Sequence, residues 1–157
     1  MPVVDIIQEQ DEFKSNKISF VLWAQKWAEF DDSLKLTWVT HRLAASESLR
    51  IPTTPGIYTL LIQPGIAYHP ACSYLMYVGQ TRSLRRRFGE YLQRERRETG
   101  RPKVLRLLNK YSDHVWFCYT SLAEPILTSV EDALLNAYLP PANDRYPAEI
   151  SRVTEAF

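Results

Sequence analysis

From Ile51 to Gly79 the 157-residue chain contains no Asp, Glu, Lys or Arg. Within this uncharged stretch lie two apolar, β-prone runs. The first extends from Gly56 to Gln63, between Pro55 and Pro64-Gly65, and the second from Tyr74 to Val78. The loop IAYHPACS between them makes an antiparallel hairpin the expected pairing. A third run, VWFCYT at 115–120, is β-branched and aromatic and reads as another strand.

Around these strands the periodicity is helical. Phe20, Trp23, Trp27 and Phe30 recur at helical spacing within 18–30, an aromatic stripe suited to a core or a docking face. Ser83 is placed to N-cap a helix through SLRRRFGEYLQRERR, whose Leu84, Phe88, Tyr91 and Leu92 share one face. A short helix follows from Pro102 to about Tyr111, with Val104, Leu107 and Leu108 inward. Glu124-Pro125 opens the last helix, and Pro140-Pro141 stops it after Tyr138. Its apolar stripe is Leu127, Val130, Leu134, Leu135 and Tyr138. Residues 34–50 are ambiguous, with a short helix expected at about His41 to Ser48. The pattern predicts an α/β chain of the α+β type: a small, mostly antiparallel three-stranded sheet flanked by helices, with an extra N-terminal helical segment.

Several classes drop out. Cys72 and Cys118 stand far apart and form no CxxC pair, so neither a zinc site nor a disulfide framework is expected, and a reducing, cytoplasmic setting is. No apolar run reaches the roughly 18 residues of a transmembrane helix, so no membrane is expected as a partner. The N-terminus lacks the basic start and unbroken apolar run of an export signal. With 5 glycines in all, neither common glycine-rich phosphate-binding loop occurs.

A net charge of +1 suggests no polyanionic partner, but it averages unlike segments. Residues 80–110 hold 11 Lys+Arg and 3 Asp+Glu, or +8, whereas 1–50 carry −2 and 111–157 carry −5. The +8 segment is a candidate anion-binding surface. Two residues beside it stand out. Glu131 falls on the inward side of the last helix, four after Leu127 and four before Leu135, while Asp132 turns outward. An inward carboxylate needs a cation or donors, and a lone one with water-filled positions suits Mg²⁺. Arg87 borders the apolar face of its helix, three after Leu84 and four before Tyr91, where its guanidinium can reach a phosphate.

The triplets Gly56-Ile57-Tyr58 and Tyr77-Val78-Gly79 resemble the two halves of the GIY-YIG nuclease signature. The likeness continues through YVGQTRSLRRRFGEY, with Arg87 and Tyr91 ten and fourteen residues after Tyr77, to Glu131 in mid-helix and Asn143 twelve residues later. This order is similar to that in the catalytic domain of the excision-repair incision subunit, and it covers about Pro55 to Pro147. Two features depart from the family pattern. Position 80 is Gln where some relatives have a Lys that helps activate the tyrosine, and Tyr91 stands where other members use His.

The resemblance implies a metal-dependent endonuclease that hydrolyses phosphodiester bonds of nucleic acid, DNA favoured over RNA. It implies catalytic roles for Tyr58, Tyr77, Arg87, Tyr91, Glu131 and Asn143. Glu131 would hold one Mg²⁺ or Mn²⁺ ion, Arg87 would clamp a non-bridging oxygen, and Tyr58 or Tyr77 would take the proton from water. Tyr91 would orient the water or its partner tyrosine, and Asn143 would fix the geometry around Glu131 or Tyr58. Arg82, Arg85, Arg86, Arg94, Arg96, Arg97, Arg101 and Lys103 would follow the nucleic-acid backbone. The expected division is an N-terminal helical extension over 1–50, packing on or beside the core, and a nuclease domain over 51–157. The aromatic segment of the extension is the place for a homodimer seam or a protein partner. The rival reading is a catalytically silent module that binds nucleic acid or protein on the same fold.

Overall fold

The structure is a computed structural model that describes residues 18–69, 71–93 and 101–144. A four-stranded, wholly antiparallel sheet lies between helices. Its strands are β1 (Val39–Arg42), β2 (Gly56–Ile62), β3 (Tyr74–Thr81) and β4 (Val115–Ser121), in the spatial order β1-β4-β2-β3. The helices are α1 (Ala24–Glu29), α2 (Leu84–Leu92), α3 (Pro102–Lys110) and α4 (Leu127–Tyr138), with a 3-10 turn at Glu124–Ile126 leading into α4.

The expected hairpin forms between β2 and β3, and β2 pairs with β4 on its other side. Every residue of β2 except Leu61 is buried, as suits a central strand covered on both faces. Alternation sorts the sheet's side chains into two cores. On the first face Tyr58, Leu60, Tyr77, Val115 and Phe117 pack against Leu84 and Phe88 of α2 and Val104, Leu107 and Leu108 of α3. On the second face Ile57 and Val78 pack against Leu127, Val130, Leu134 and Leu135 of α4. A register shift between Leu60 and Leu61 makes Leu60 pair with Tyr77 but Leu61 with Leu75. The bulge turns consecutive Met76 and Tyr77 into the first core.

Three expectations are corrected. The sheet has four strands rather than three, because Val39–Arg42 pairs antiparallel with β4 instead of starting a helix at His41. Backbone pairing creates this strand; its side chains are largely exposed and show no apolar alternation. Ala45–Arg50 is a 3-10 turn. In the 18–30 segment only six residues, Ala24–Glu29, are helical. Phe20 stacks on Tyr74 with ring centroids 6.1 Å apart, Trp27 donates from Nε1 to the Ala137 carbonyl at 2.7 Å, and Phe30 packs against the second core. Tyr138, placed in the apolar stripe of the last helix, is 46% exposed.

Ser83 caps α2 as its sequence position predicts, its hydroxyl accepting from Arg86 N. The amides of Leu84 and Arg85 donate to the carbonyls of Thr54 and Pro52, so other orphan donors of the helix start are also satisfied. At the far end of α4, Leu139 takes the left-handed conformation (φ 46°), an uncommon state for a residue with a Cβ. It turns the chain back along β3, where Ala142 N donates to the Met76 carbonyl at 2.8 Å. Among the described residues no helix is long and apolar enough to cross a membrane. Cys72 and Cys118 are both free thiols.

Candidate active site at the edge of the sheet

Three tyrosines meet on the first face. Pairing sets Tyr58 opposite Gly79 and Tyr77 opposite Leu60, so the two tyrosines stand on one face of adjacent strands. Their ring centroids are 6.0 Å apart. Gly79 permits this approach, since a Cβ there would lie 2.6 Å from the Tyr58 hydroxyl oxygen and 2.8 Å from the Tyr77 ring. Phe117 of β4 stacks on Tyr58 at 5.1 Å. Tyr91 of α2 completes the group, its hydroxyl oxygen 2.8 Å from that of Tyr58.

Burial pushes all three phenols above their ordinary value. Tyr58, 2% exposed, stands well above it, raised first by burial and then by Tyr91 and Tyr77. At Tyr77 burial is opposed first by Arg101. Arg101 donates from Nη1 to the Tyr77 oxygen at 2.7 Å, and its guanidinium carbon lies 5.6 Å from the ring centroid.

Arg87 reaches the same group from α2. Its Nη1 lies 3.0 Å from Glu90 Oε2, while its Nε is buried with no hydrogen-bond partner among the described residues. An unmatched buried donor costs roughly 1–3 kcal/mol. Burial alone would weaken the Arg87 cation, but Tyr58, Tyr91 and Glu90 outweigh it, so its pKa is raised and it stays charged.

Glu131 approaches from the second face. It is half-buried on α4, as its position predicts, and Asp132 is exposed. Gln80 of β3 donates to Glu131 Oε2 at 2.7 Å and to Thr128 Oγ1 at 3.3 Å. Burial raises the Glu131 carboxyl, Asp132 adds to the rise, and the Gln80 bond and Arg101 oppose it. Among the described residues no three His, Cys, Asp or Glu gather. The fit for a divalent ion therefore rests on one fixed, hard carboxylate oxygen donor with water completing the shell, a set that Mg²⁺ accepts.

Asn143 is buried and spends its amide on β3, accepting from Val78 N at 3.0 Å and donating to Val78 O at 2.8 Å. It thus continues the ladder on the outer edge of β3, rather than bonding Glu131 or Tyr58.

The basic residues divide. An open cleft of about 350 Å³ between α2 and the start of α4 is lined by Gln80, Arg82, Arg86, Arg87, Glu124 and Thr128. Arg82 and Arg86 are exposed on it, 3.7 Å from Glu124 and 3.9 Å from Glu90. Arg85 is committed elsewhere, donating from Nε to the Ile51 carbonyl at 2.7 Å and from Nη2 to the Leu49 carbonyl at 3.2 Å. Lys103 pairs with Asp144 at 3.1 Å. Arg94, Arg96 and Arg97 lie outside the described residues. Sequence spacing does not single out Gln80 as Glu131's neighbour, or Arg101 as the partner of Tyr77. For Arg101 the linear signal is absent, since 24 positions separate it from the tyrosine it touches.

No protein-family model matches the chain, and no curated protein does. Solved structures similar to it include the GIY-YIG N-terminal endonuclease domain of UvrC from Thermotoga maritima. A tyrosine-to-phenylalanine variant of that domain, bound to its catalytic divalent cation, is 20% identical with a TM-score of 0.44, covering 64% of this chain and 93% of that one. An asparagine-to-alanine variant is 21% identical with a TM-score of 0.45 over the same shares. The magnesium-bound form is 21% identical with a TM-score of 0.44, covering 62% and 92%.

Proposed function

We propose that this chain is a metal-dependent endonuclease that hydrolyses phosphodiester bonds of nucleic acid, with DNA the favoured substrate. The observation that carries the reading is the Arg87 cation, which lines the open cleft beside the three phenols and whose Nε is unpartnered among the described residues. A fixed cation with a free donor recognises an anionic oxygen, and its neighbours can move a proton.

Glu131 would hold the Mg²⁺ or Mn²⁺ ion, which supplies charge neutralisation at the scissile phosphate and the leaving oxygen when bound. Gln80 fixes one oxygen of that carboxylate. Arg87 offers its cleft-facing guanidinium to a non-bridging phosphate oxygen. Tyr77 takes the proton of the attacking water. Both rings are buried, but Tyr58 is less suited to this task, because its hydroxyl pairs with another phenol rather than a cationic donor and burial holds it well above its ordinary value. Tyr58 and Tyr91 instead brace the Tyr77 ring. Arg82 and Arg86 on the cleft contact flanking phosphates, which positions a strand without reading its sequence.

Incubation of the purified chain with a panel of labelled DNA and RNA substrates and Mg²⁺ tests the reading. Cleavage by the wild type and none by a folded Glu131→Ala variant is the expected result. A wild type that binds the panel but cuts none of it supports the silent binding module instead.

A further inference from the structure

Strand β3 carries no cation of its own beside Tyr77. Position 80, three residues on, is a neutral Gln whose amide is spent on Glu131 and Thr128. Yet the phenolic oxygen of Tyr77 does receive a cationic donor, from Arg101 immediately before α3. Charged and titratable groups face this tyrosine from each surrounding element: Tyr58 from β2, Arg87 and Tyr91 from α2, Glu131 from α4, and Arg101. Arg101 donates to the oxygen itself at 2.7 Å, with its guanidinium within 5.6 Å of the ring centroid. The planar fork of an arginine allows a directed hydrogen bond while it packs near a ring.

We propose that Arg101 is a positioning residue for the reaction: it fixes the Tyr77 oxygen and stabilises the phenolate that receives the proton of the attacking water. This rests on the endonuclease reading above. In the step concerned, a proton of water passes to the Tyr77 oxygen and the water oxygen bonds to phosphorus. The bond from phosphorus to the leaving oxygen breaks, and that oxygen takes a proton from solvent. Arg101 gives up no proton and touches no substrate atom; it acts through Tyr77. The distances place within the site an arginine that charge patterning alone assigns to backbone contacts.

The test uses the full chain with Arg101→Gln, Arg101→Lys and Tyr77→Phe. Tyrosinate absorbance is titrated without metal or substrate, and subtracting the Tyr77→Phe curve isolates Tyr77. The same subtraction is made in the Arg101→Gln background. Loss of the cation should raise the Tyr77 midpoint by about one pH unit, equal to a roughly tenfold loss of phenolate at a given pH, and Lys should restore most of it. Coincident midpoints overturn the proposal. In nicking assays Arg101→Gln should lower kcat about tenfold at neutral pH and move the rate profile to higher pH, with KM little changed. A raised KM with an unmoved profile would make Arg101 a phosphate contact and overturn the proposal. Should the Gln variant fail to fold, Arg101→Met, which keeps the apolar stem, is read by the same criteria. A wild type that cuts no substrate defeats the endonuclease reading, while the metal-free titration still decides whether Arg101 holds the Tyr77 phenolate.

Discussion

The hydroxyl oxygens of Tyr58 and Tyr91 lie 2.8 Å apart and join β2 to α2 inside the first core. Removing one hydroxyl takes this hydrogen bond from the other in a place water does not readily reach, whereas removing both leaves two apolar rings of similar shape. Tyr91→Phe should therefore cost about 0.5–1.5 kcal/mol in urea denaturation. The Tyr58→Phe/Tyr91→Phe pair should be less destabilised than the sum of the single changes. Strict additivity in this cycle would show that the two hydroxyls do not interact.

Gly79→Ala should separate folding from activity. Its new Cβ would meet the Tyr58 hydroxyl and the Tyr77 ring, which can shift only by disturbing the tyrosine group. Overpacking of this kind costs about 1–3 kcal/mol. The variant should fold, show an altered near-ultraviolet circular dichroism spectrum and lose most cleavage. Gly56→Ala should cost more, because its Cβ would collide with the backbone oxygen of Thr120, which cannot rotate away.

Arg85 and Arg87, two residues apart, should fail in different assays. Arg87→Ala should abolish nicking with little change in melting temperature. Arg85→Ala should lower stability by about 1–3 kcal/mol, because the Ile51 and Leu49 carbonyls lose a charged donor. Its binding loss would follow from that. Equal activity losses at unchanged stability would undo this distinction.

The pH dependence has a defined sign. As the proposed proton acceptor, Tyr77 would have to be deprotonated, and burial has raised its pKa despite Arg101. Below that raised value, each unit increase in pH raises the phenolate fraction about tenfold. Single-turnover cleavage at saturating Mg²⁺ should therefore climb steadily from neutral into alkaline buffer. A flat profile would remove Tyr77 as the acceptor.

Much of this arrangement is legible in the residues. The uncharged stretch from Ile51 to Gly79 contains the β2–β3 hairpin because both runs are bounded by turn formers. The Ser83 cap, the inward Glu131 and the outward Asp132 follow from helical spacing. What escapes is set by contacts between distant segments. Strand β1 is held by β4, and its own side chains carry no alternation to betray it. The Ala45–Arg50 turn supplies a carbonyl to Arg85, so misreading residues 34–50 also misassigns that arginine. Arg101 looks like one more charge in a basic segment until α3 brings it to Tyr77.

The tyrosines belong to the core shared with α2 and α3, whereas Glu131 rides on the helix that packs the opposite core. Strand β3 links them, bearing Tyr77 toward one and Gln80 toward the other. In the proposed reaction, proton transfer and metal affinity would thus be mounted on separate packing systems that meet along β3. Substitutions in the α4 contact layer would then retune the proposed ion site while the phenol cluster keeps its geometry, and those beneath α3 would do the reverse.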